Sequence, residues 1–424
     1  MADPLAADSP RPRLRGRANP VLVLVLATLT AGLTGPGQTI GVSVFIDHFV
    51  DDLSLSRSQV SGAYMVGTLV GATMLPKVGR LVDRRGVRLA QIAIGLAFSL
   101  ALVNMSLVNG LVWLAVGFTG IRLMGQGSLS MVSTMTVSIR FARRRGTALG
   151  IFATVSAGLM ALVPVALNAA IGGVGWRWAW VVAAAVVATT VVPIAFFGLR
   201  SMPVSSAPTL APPVRADPSG SADGNEASAG GDYDRSEAMR TRSFWILAAV
   251  SSTAGMLSTA LNFHQIDLLG DAGLSDAAAA AMFIPQVIGS SVMGLLMGYM
   301  LDRFDSRFMP AASMLLLFVA HMLAAVVEPG ATVFVYAVVL GAQGGAVRTV
   351  ASTLLPNWFG TRHLGAIQGS LTLFGVGASA LGPVALAVLQ EVFGSYPPAI
   401  IVLSTIPVAA MVFSLFPDRN RRPL

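Results

Sequence analysis

The chain has 424 residues, 54% of them hydrophobic and only 11% charged, with a formal charge of +8 and no cysteine. A soluble protein of this length needs far more polar surface, so a mean hydropathy of +0.72 excludes a water-soluble enzyme or binding module and indicates an integral membrane protein. The absence of cysteine removes disulfide and thiol chemistry, and the basic excess is spread over short loops beside apolar helices, which suits anionic membrane lipid rather than nucleic acid.

Residues 1–18 form a basic N-terminal segment carrying Arg11, Arg13, Arg15 and Arg17. A six-helix bundle is then predicted over 19–199, with spans near 19–46, 57–78, 87–109, 111–138, 146–170 and 176–199. Each is long enough, at about 20 residues, to cross a hydrocarbon core of roughly 30 Å as a helix. The first is too long for the apolar core of a signal peptide and reads as an uncleaved span. Within it, TAGLTGPGQT places Gly35, Pro36 and Gly37 where they interrupt regular helix and free backbone groups beside Gln38, as breaks that line substrate sites do.

The fourth run, GFTGIRLMGQGSLSM, carries Arg122 near its middle, with Gln126 one turn below on the same face. An unpaired arginine at that depth costs at least about 2.5–3.5 kcal/mol, so it must face an interior cavity or a partner. Two readings follow. Arg122 attracts an anionic substrate, because guanidinium matches a carboxylate bidentately, or it is structural and bonds carbonyls where the Gly125 and Gly127 backbones approach a neighbour.

Residues 200–241, rich in Pro, Ser, Ala, Gly and Asp, cannot bury enough surface to fold alone and read as a flexible cytoplasmic linker. A second six-helix bundle is predicted over 242–416, with spans near 242–266, 276–299, 309–328, 331–354, 363–390 and 396–416, followed by a cytoplasmic tail over 417–424. Asn262 and His264 fall near the outer end of the seventh span, where His264 could titrate as a proton-coupling group. Gln343 lies near the middle of the tenth span and Arg348 about 7 Å further toward the cytoplasm, as a second buried cation that either meets substrate or snorkels to the interface. His321 is expected on a peripheral helix and inert. Every carboxylate falls in a loop or at a helix end, so none neutralises Arg122 or Arg348, and an anionic substrate fits better than a cation exchanged for protons.

Arginine sets the orientation. The loops on the side of the termini hold almost all of it, whereas the other side holds only Arg57 and Arg177, so both termini are expected in the cytoplasm of a multi-pass protein of the cell (inner, plasma) membrane. The chain also repeats itself. GRLVDRRGVR at Gly79 and GYMLDRFDSR at Gly298 are 219 residues apart, and the same offset maps Leu55-Ser56 onto Leu274-Ser275, Pro164 to Leu167 onto Pro383 to Leu386, and Gly175 onto Gly394. Two like halves predict a transporter whose central site opens alternately to each side, complete as a monomer.

The paired stretches resemble the major facilitator superfamily, whose loop between the second and third helices has the form GxxxDRxGxR. Gly79, Asp83, Arg84, Gly86 and Arg88 fill it, and the second copy keeps Gly298, Asp302, Arg303 and Arg307 but has Asp305 in place of the later glycine. The resemblance implies an all-α membrane fold of twelve helices in two pseudo-symmetric bundles. It also implies a cytoplasmic gate at these residues, in which Asp83 can pair with Arg140, Arg143, Arg144 or Arg145. The run RLMGQGSLSMVSTMTVSIRFARRRGTALGI, its partner RTVASTLLPNWFGTRHLGAIQGS and GWRWAW at Gly175 further resemble the monocarboxylate and oxalate/formate transporter-like branch. The cation that this branch implies in the eighth or eleventh helix is missing here, since Asp276 to Tyr299 and Leu364 to Gln390 contain neither Arg nor Lys.

Phosphate-cradling, metal-ligand and GxSxG patterns are absent, so no cofactor, metal or enzymatic activity is expected. The expected function is secondary active transport of a small organic solute, a carboxylate-bearing anion, by alternating access, with protons as an optional coupling partner. The rivals are an exporter of a hydrophobic drug or natural product and a transporter-like solute sensor.

Overall fold

In a computed structural model, residues 19–141, 145–200, 233–360 and 364–416 are described, and all regular structure among them is helical. Among the described residues, ten helices are long and apolar enough to cross a membrane. The helix rising from Arg57 and the interrupted helix from Leu111 to Arg140 complete twelve.

The first span starts at Pro20, capped by the Asn19 side chain, and runs to Gly32. It breaks where expected, in a tight turn over Gly35–Gly37, and resumes as Thr39–Ser43 and Ile46–Leu53. Proline lacks the N–H that would continue the helical ladder, and its flanking glycines tolerate the turn.

The second span begins at a capping box of Ser56 and Gln59 and differs from expectation at its other end. Instead of stopping near residue 78, helix continues through Gly79–Arg85 to a single break at Gly86 (φ 75°, ψ 160°) and on to Ser106 as the third span. The motif is therefore helical, not a loop. Leu, Val, Arg and Asp propagate a helix beyond the apolar stretch until glycine alone can take the backbone conformation that reverses the chain. In the second half Asp305 stands where that glycine would be. The eighth span ends at Arg303, and the Asp305 carboxylate caps a short turn, Ser306–Phe308.

The fourth span is Leu111–Ile121, a wide π-type segment Arg122–Leu129, and Ser130–Arg140. Hydroxyls stabilise the widening: Ser128 donates to the carbonyl of Leu123 at 2.6 Å, five residues back. The fifth is Arg145–Val174 and the sixth Trp176–Pro193, extended to Gly198. A short helix, Arg235–Met239, capped by Asp234, precedes the seventh span Arg242–Phe263, which continues as Gln265–Asp271. The eighth is Asp276–Ala281 with Phe283–Arg303, the ninth Met309–Ala325, the tenth Ala331–Phe359 and the eleventh Leu364–Phe393. The twelfth is Tyr396–Leu403 with Thr405–Ser414.

The seventh span packs on the eleventh, the eighth on the tenth, the first on the fifth, and the second and third on the fourth. Small residues permit the closest approaches. A Cβ on Gly341 of the tenth span would lie 1.8 Å from the carbonyl oxygen of Gln286 on the eighth, and one on Gly345 would lie 2.1 Å from that of Ser290. The halves meet where the helix Arg57–Ser106 touches the eleventh span, the fifth touches the eighth and the first touches the seventh. One large apolar core, including Phe45, Phe118, Phe263 and Tyr396, crosses from half to half. Two smaller cores do not cross. One, with Phe244 and Phe359, belongs to the second half, and one, with Val137 and Phe152, to the first; both lie toward the face where the described chain starts and ends. Large exposed side chains such as Leu100, Val112 and Leu295 form the outer belt that lipid would cover.

Candidate functional site

The first and fourth spans touch through glycine. A Cβ on Gly37 would lie 2.6 Å from the carbonyl of Ile121 and 3.2 Å from Cα of Gly125. This approach brings the broken first span against Arg122, which is only 5% exposed. Its Nε donates to Thr68 Oγ1 at 3.1 Å and its Nη1 to the Gly37 carbonyl at 3.4 Å, while its guanidinium carbon lies 4.7 Å from the centre of the Tyr64 ring. Two of the five N–H donors that a guanidinium carries are thereby used, and no carboxylate among the described residues forms an ion pair with it. Both sequence readings find a counterpart: carbonyl and glycine contacts hold the arginine, and its charge has no acidic partner.

Unmet polar atoms occur on the neighbouring spans. Gln126 Oε1 and Asn262 Oδ1 are buried without a hydrogen-bond partner. Gln343 is fully buried; its Oε1 accepts from Ser258 at 2.8 Å, while its Nε2 has no partner. Gln38, half-buried, donates to Thr34 Oγ1 at 3.1 Å. The first span packs on the fourth and seventh, and the seventh on the tenth, so these groups sit on helices joined by a continuous series of contacts from one half to the other.

Arg348 differs from expectation, because it is exposed rather than buried and donates to Ser290 of the eighth span. The cause is the contact of Gly341 and Gly345 with the eighth span, which leaves the next turn at the edge of that interface, within reach of a long flexible side chain. His321 is buried on the ninth span, its Nδ1 2.9 Å from the carbonyl of Leu317.

His264 belongs to another cluster, at the face opposite the termini. Its Nε2 lies 3.0 Å from the Pro383 carbonyl and its Nδ1 3.3 Å from the Tyr396 hydroxyl. Tyr396 donates to Asp267, which pairs with Arg57 of the other half. Arg57 also pairs with Asp47 at 2.8 Å, and the Ser58 N–H donates to Glu391 at 3.0 Å. Asp267 lies on the short helix Gln265–Asp271, beyond the membrane-spanning stretch Arg242–Phe263. Burial raises its carboxyl to about 6, against the opposing pull of Arg57 and the Tyr396 hydrogen bond. Sequence reasoning missed this cluster, although Arg57 is one of just two arginines on a side rich in carboxylates.

Of the gate candidates, Gly86 makes the helix break, Arg88 lies over the Phe196 ring at 5.2 Å, and Arg84 is exposed. Gly298 faces Thr349 of the tenth span, and Arg303 lies 5.2 Å from the Tyr299 ring centre. Arg144 lies outside the described residues, as do the side-chain placements at Gly79, Asp83 and Asp302. No group of metal-ligating residues occurs among the described residues.

None of the curated proteins matches the chain in sequence. Among solved structures, a bacterial homolog of the human lysosomal transporter Spinster, inward-facing and unoccupied, is similar with a TM-score of 0.71 at 17% identity, covering 93% of this chain and 96% of that one. The nucleoside transporter NupG, in a mutant form, is similar with a TM-score of 0.72 at 13% identity, covering 93% of this chain and 98% of that one. At such identities the likeness is one of fold. The family model of the Major Facilitator Superfamily matches residues 22–289 and, in a second match, residues 246–424. The chain therefore belongs to the Major Facilitator Superfamily and is a transporter, not an enzyme.

Proposed function

We propose that the protein is a secondary transporter that carries a small carboxylate-bearing organic anion across the cell membrane by rocking its two halves about a central site. The observation that carries the cargo class is Arg122, a buried cation with donors to spare and no acidic partner among the described residues. In a low-dielectric interior such a charge is stabilised by a counter-ion, and a substrate carboxylate supplies one with matched geometry. Gln126, Gln343, Gln38 and Asn262 then orient the rest of the solute, and Arg348 attracts it at the cytoplasmic mouth. His264 acts through Tyr396 instead of touching cargo.

Alternating access is supported by the core, which is continuous across the halves toward one face and divided toward the other. With arginine-rich loops in the cytoplasm, the divided face is the inner one, so the arrangement is inward-facing. The paired gate stretches, with Asp83, Arg84, Arg88, Asp302 and Arg303 as charged members and Arg144 of the next loop as a partner, would close that side. The cargo class agrees with the resemblance to the branch that handles monocarboxylates, with Arg122 replacing the cation that the eighth and eleventh spans lack. One chain supplies both halves, so the monomer is the working unit.

A second reading, export of a hydrophobic compound, has its own observation. Tyr64, Thr68 and the Gly37 carbonyl already hold the guanidinium without any anion. Uptake of labelled monocarboxylates and dicarboxylates into liposomes under an imposed pH gradient separates the two. Saturable uptake whose KM rises at least about tenfold in a folded Arg122→Gln mutant supports the anion carrier. An absence of anion flux in either direction sinks it.

A further inference from the structure

At the face opposite the termini, one guanidinium serves two carboxylates from different halves. Asp47, on the helix Ile46–Leu53, belongs to the same half as Arg57 and can pair with it in any arrangement of the halves. Asp267 comes from the other half, so its contact with Arg57 requires the two halves to be together at this face. Closure therefore adds a second carboxylate to an arginine that already has one, in a place where Arg57 and Asp267 side chains keep only 19% and 18% of their exposure. The merged cluster carries one uncompensated negative charge.

The neighbouring groups do not cancel it. The helix Ile46–Leu53 adds His48, Asp51 and Asp52, and Asp52 accepts from the Trp176 indole at 2.6 Å. The helix of Asp267 itself adds Asp271, the start of the eighth span adds an exposed Asp276, and the end of the eleventh adds Glu391, which bonds the Ser58 amide. The twelfth span contributes Tyr396, which has two acceptors within reach, Asp267 and His264 Nδ1. The Pro383 carbonyl can only accept, so in the neutral ring the hydrogen is on Nε2 and Nδ1 is free to accept. If Asp267 gains a proton, it can donate to the Tyr396 oxygen while the Tyr396 hydrogen turns to His264. The network is thus hydrogen-bonded in both protonation states.

We propose that closure of this gate takes up a proton on Asp267, so that acidity on the outer side favours the closed, inward-facing arrangement. This inference rests on the alternating access proposed above but not on the identity of the cargo. The sign follows from linkage: a proton favours the state in which the group holds it more tightly. In the closed arrangement burial raises the Asp267 carboxyl from 3.8 to about 6, whereas in an open cleft water returns it toward its ordinary value. Above that range the effect vanishes. Between about pH 8 and about pH 5 the ratio of closed to open molecules should rise about tenfold. The proton returns to the side it came from, so it regulates the cycle without driving it.

The test uses the absence of native cysteine. Spin labels on Asn109→Cys and Ala331→Cys, one exposed site on each half at this face, report the separation of the halves in lipid nanodiscs without any substrate. On acidification the short-distance population should grow about tenfold relative to the long one. Asp267→Asn should hold the short distance at both pH values, and Asp47→Asn should shrink the pH response by leaving one carboxylate per arginine. A wild-type population that does not change, that moves toward the open state in acid, or that responds equally in Asp267→Asn overturns the proposal. Anion uptake plays no part in this readout, so failure of the cargo assignment and failure of the gate assignment are distinguishable.

Discussion

The Tyr64 ring that lies 4.7 Å from the guanidinium carbon of Arg122 also meets Phe263 of the other half, with 4.6 Å between ring centres. Its hydroxyl is 2.7 Å from Thr39 Oγ1 on the broken first span. One aromatic side chain thus joins the buried cation, the helix break and the contact between halves. Tyr64→Phe keeps the ring and loses the hydroxyl contact, so unfolding in detergent should become easier by about 1 kcal/mol. Tyr64→Leu also loses the cation–π contact, a further ~0.5–2 kcal/mol. Equal thermal midpoints for the two variants would show that the ring contributes nothing to holding Arg122.

Transport should depend on the two cations unequally. Arg122→Gln should raise the KM for an anionic substrate at least about tenfold, the loss expected for one charged hydrogen bond of about 1.5–3 kcal/mol. Arg122→Lys should recover part of that, because charge returns without the planar fork that reaches both Thr68 and Gly37. Arg348→Gln should cost less, since Arg348 is exposed and already bonded to Ser290. Equal KM changes in liposome uptake for Arg122→Gln and Arg348→Gln would contradict this ranking.

Two glycines three residues apart on the tenth span should respond in opposite ways to the same methyl group. Gly341→Ala drives Cβ into the Gln286 carbonyl and must push the eighth and tenth spans apart, a loss of roughly 1–3 kcal/mol or more. Gly344 has nothing within 4 Å of the added carbon, so Gly344→Ala should raise stability by up to about 1 kcal/mol through helix propensity. Size-exclusion profiles after graded heating check both signs.

Gly86 takes φ 75° and ψ 160°, a region that essentially only glycine occupies. Gly86→Ala should cost about 1–3 kcal/mol and reduce the yield of folded protein. A thermal midpoint equal to wild type would mean that the second span can end elsewhere.

Much of the fold was legible from local chemistry. The apolar runs became spans, Gly35-Pro36-Gly37 became a break, and the offset of 219 residues reappeared as Gly175 and Gly394, both left-handed at φ 80° and 71°. The helix through Gly79–Arg85 was less legible, because hydropathy marks where lipid ends and not where a helix does. Arg122 was legible as an anomaly, a charge in an apolar run. Its partners were not, since Thr68 and Gly37 are 54 and 85 residues away in the chain.

By itself, the sequence determined the solvent, the span count, the two-fold repeat and the presence of an uncompensated cation. These depend on composition and short-range pattern, which a membrane reads directly: each apolar run of sufficient length must satisfy its backbone as a helix. Only the tertiary structure decided that Arg348 is exposed, that His264 lies beside Tyr396, and that Arg57 is shared by Asp47 and Asp267. Arg57 and Asp267 are 210 residues apart, on different halves. Charges so distant in sequence interact only at the few ångströms that the packing of two bundles creates, and no local pattern encodes that distance.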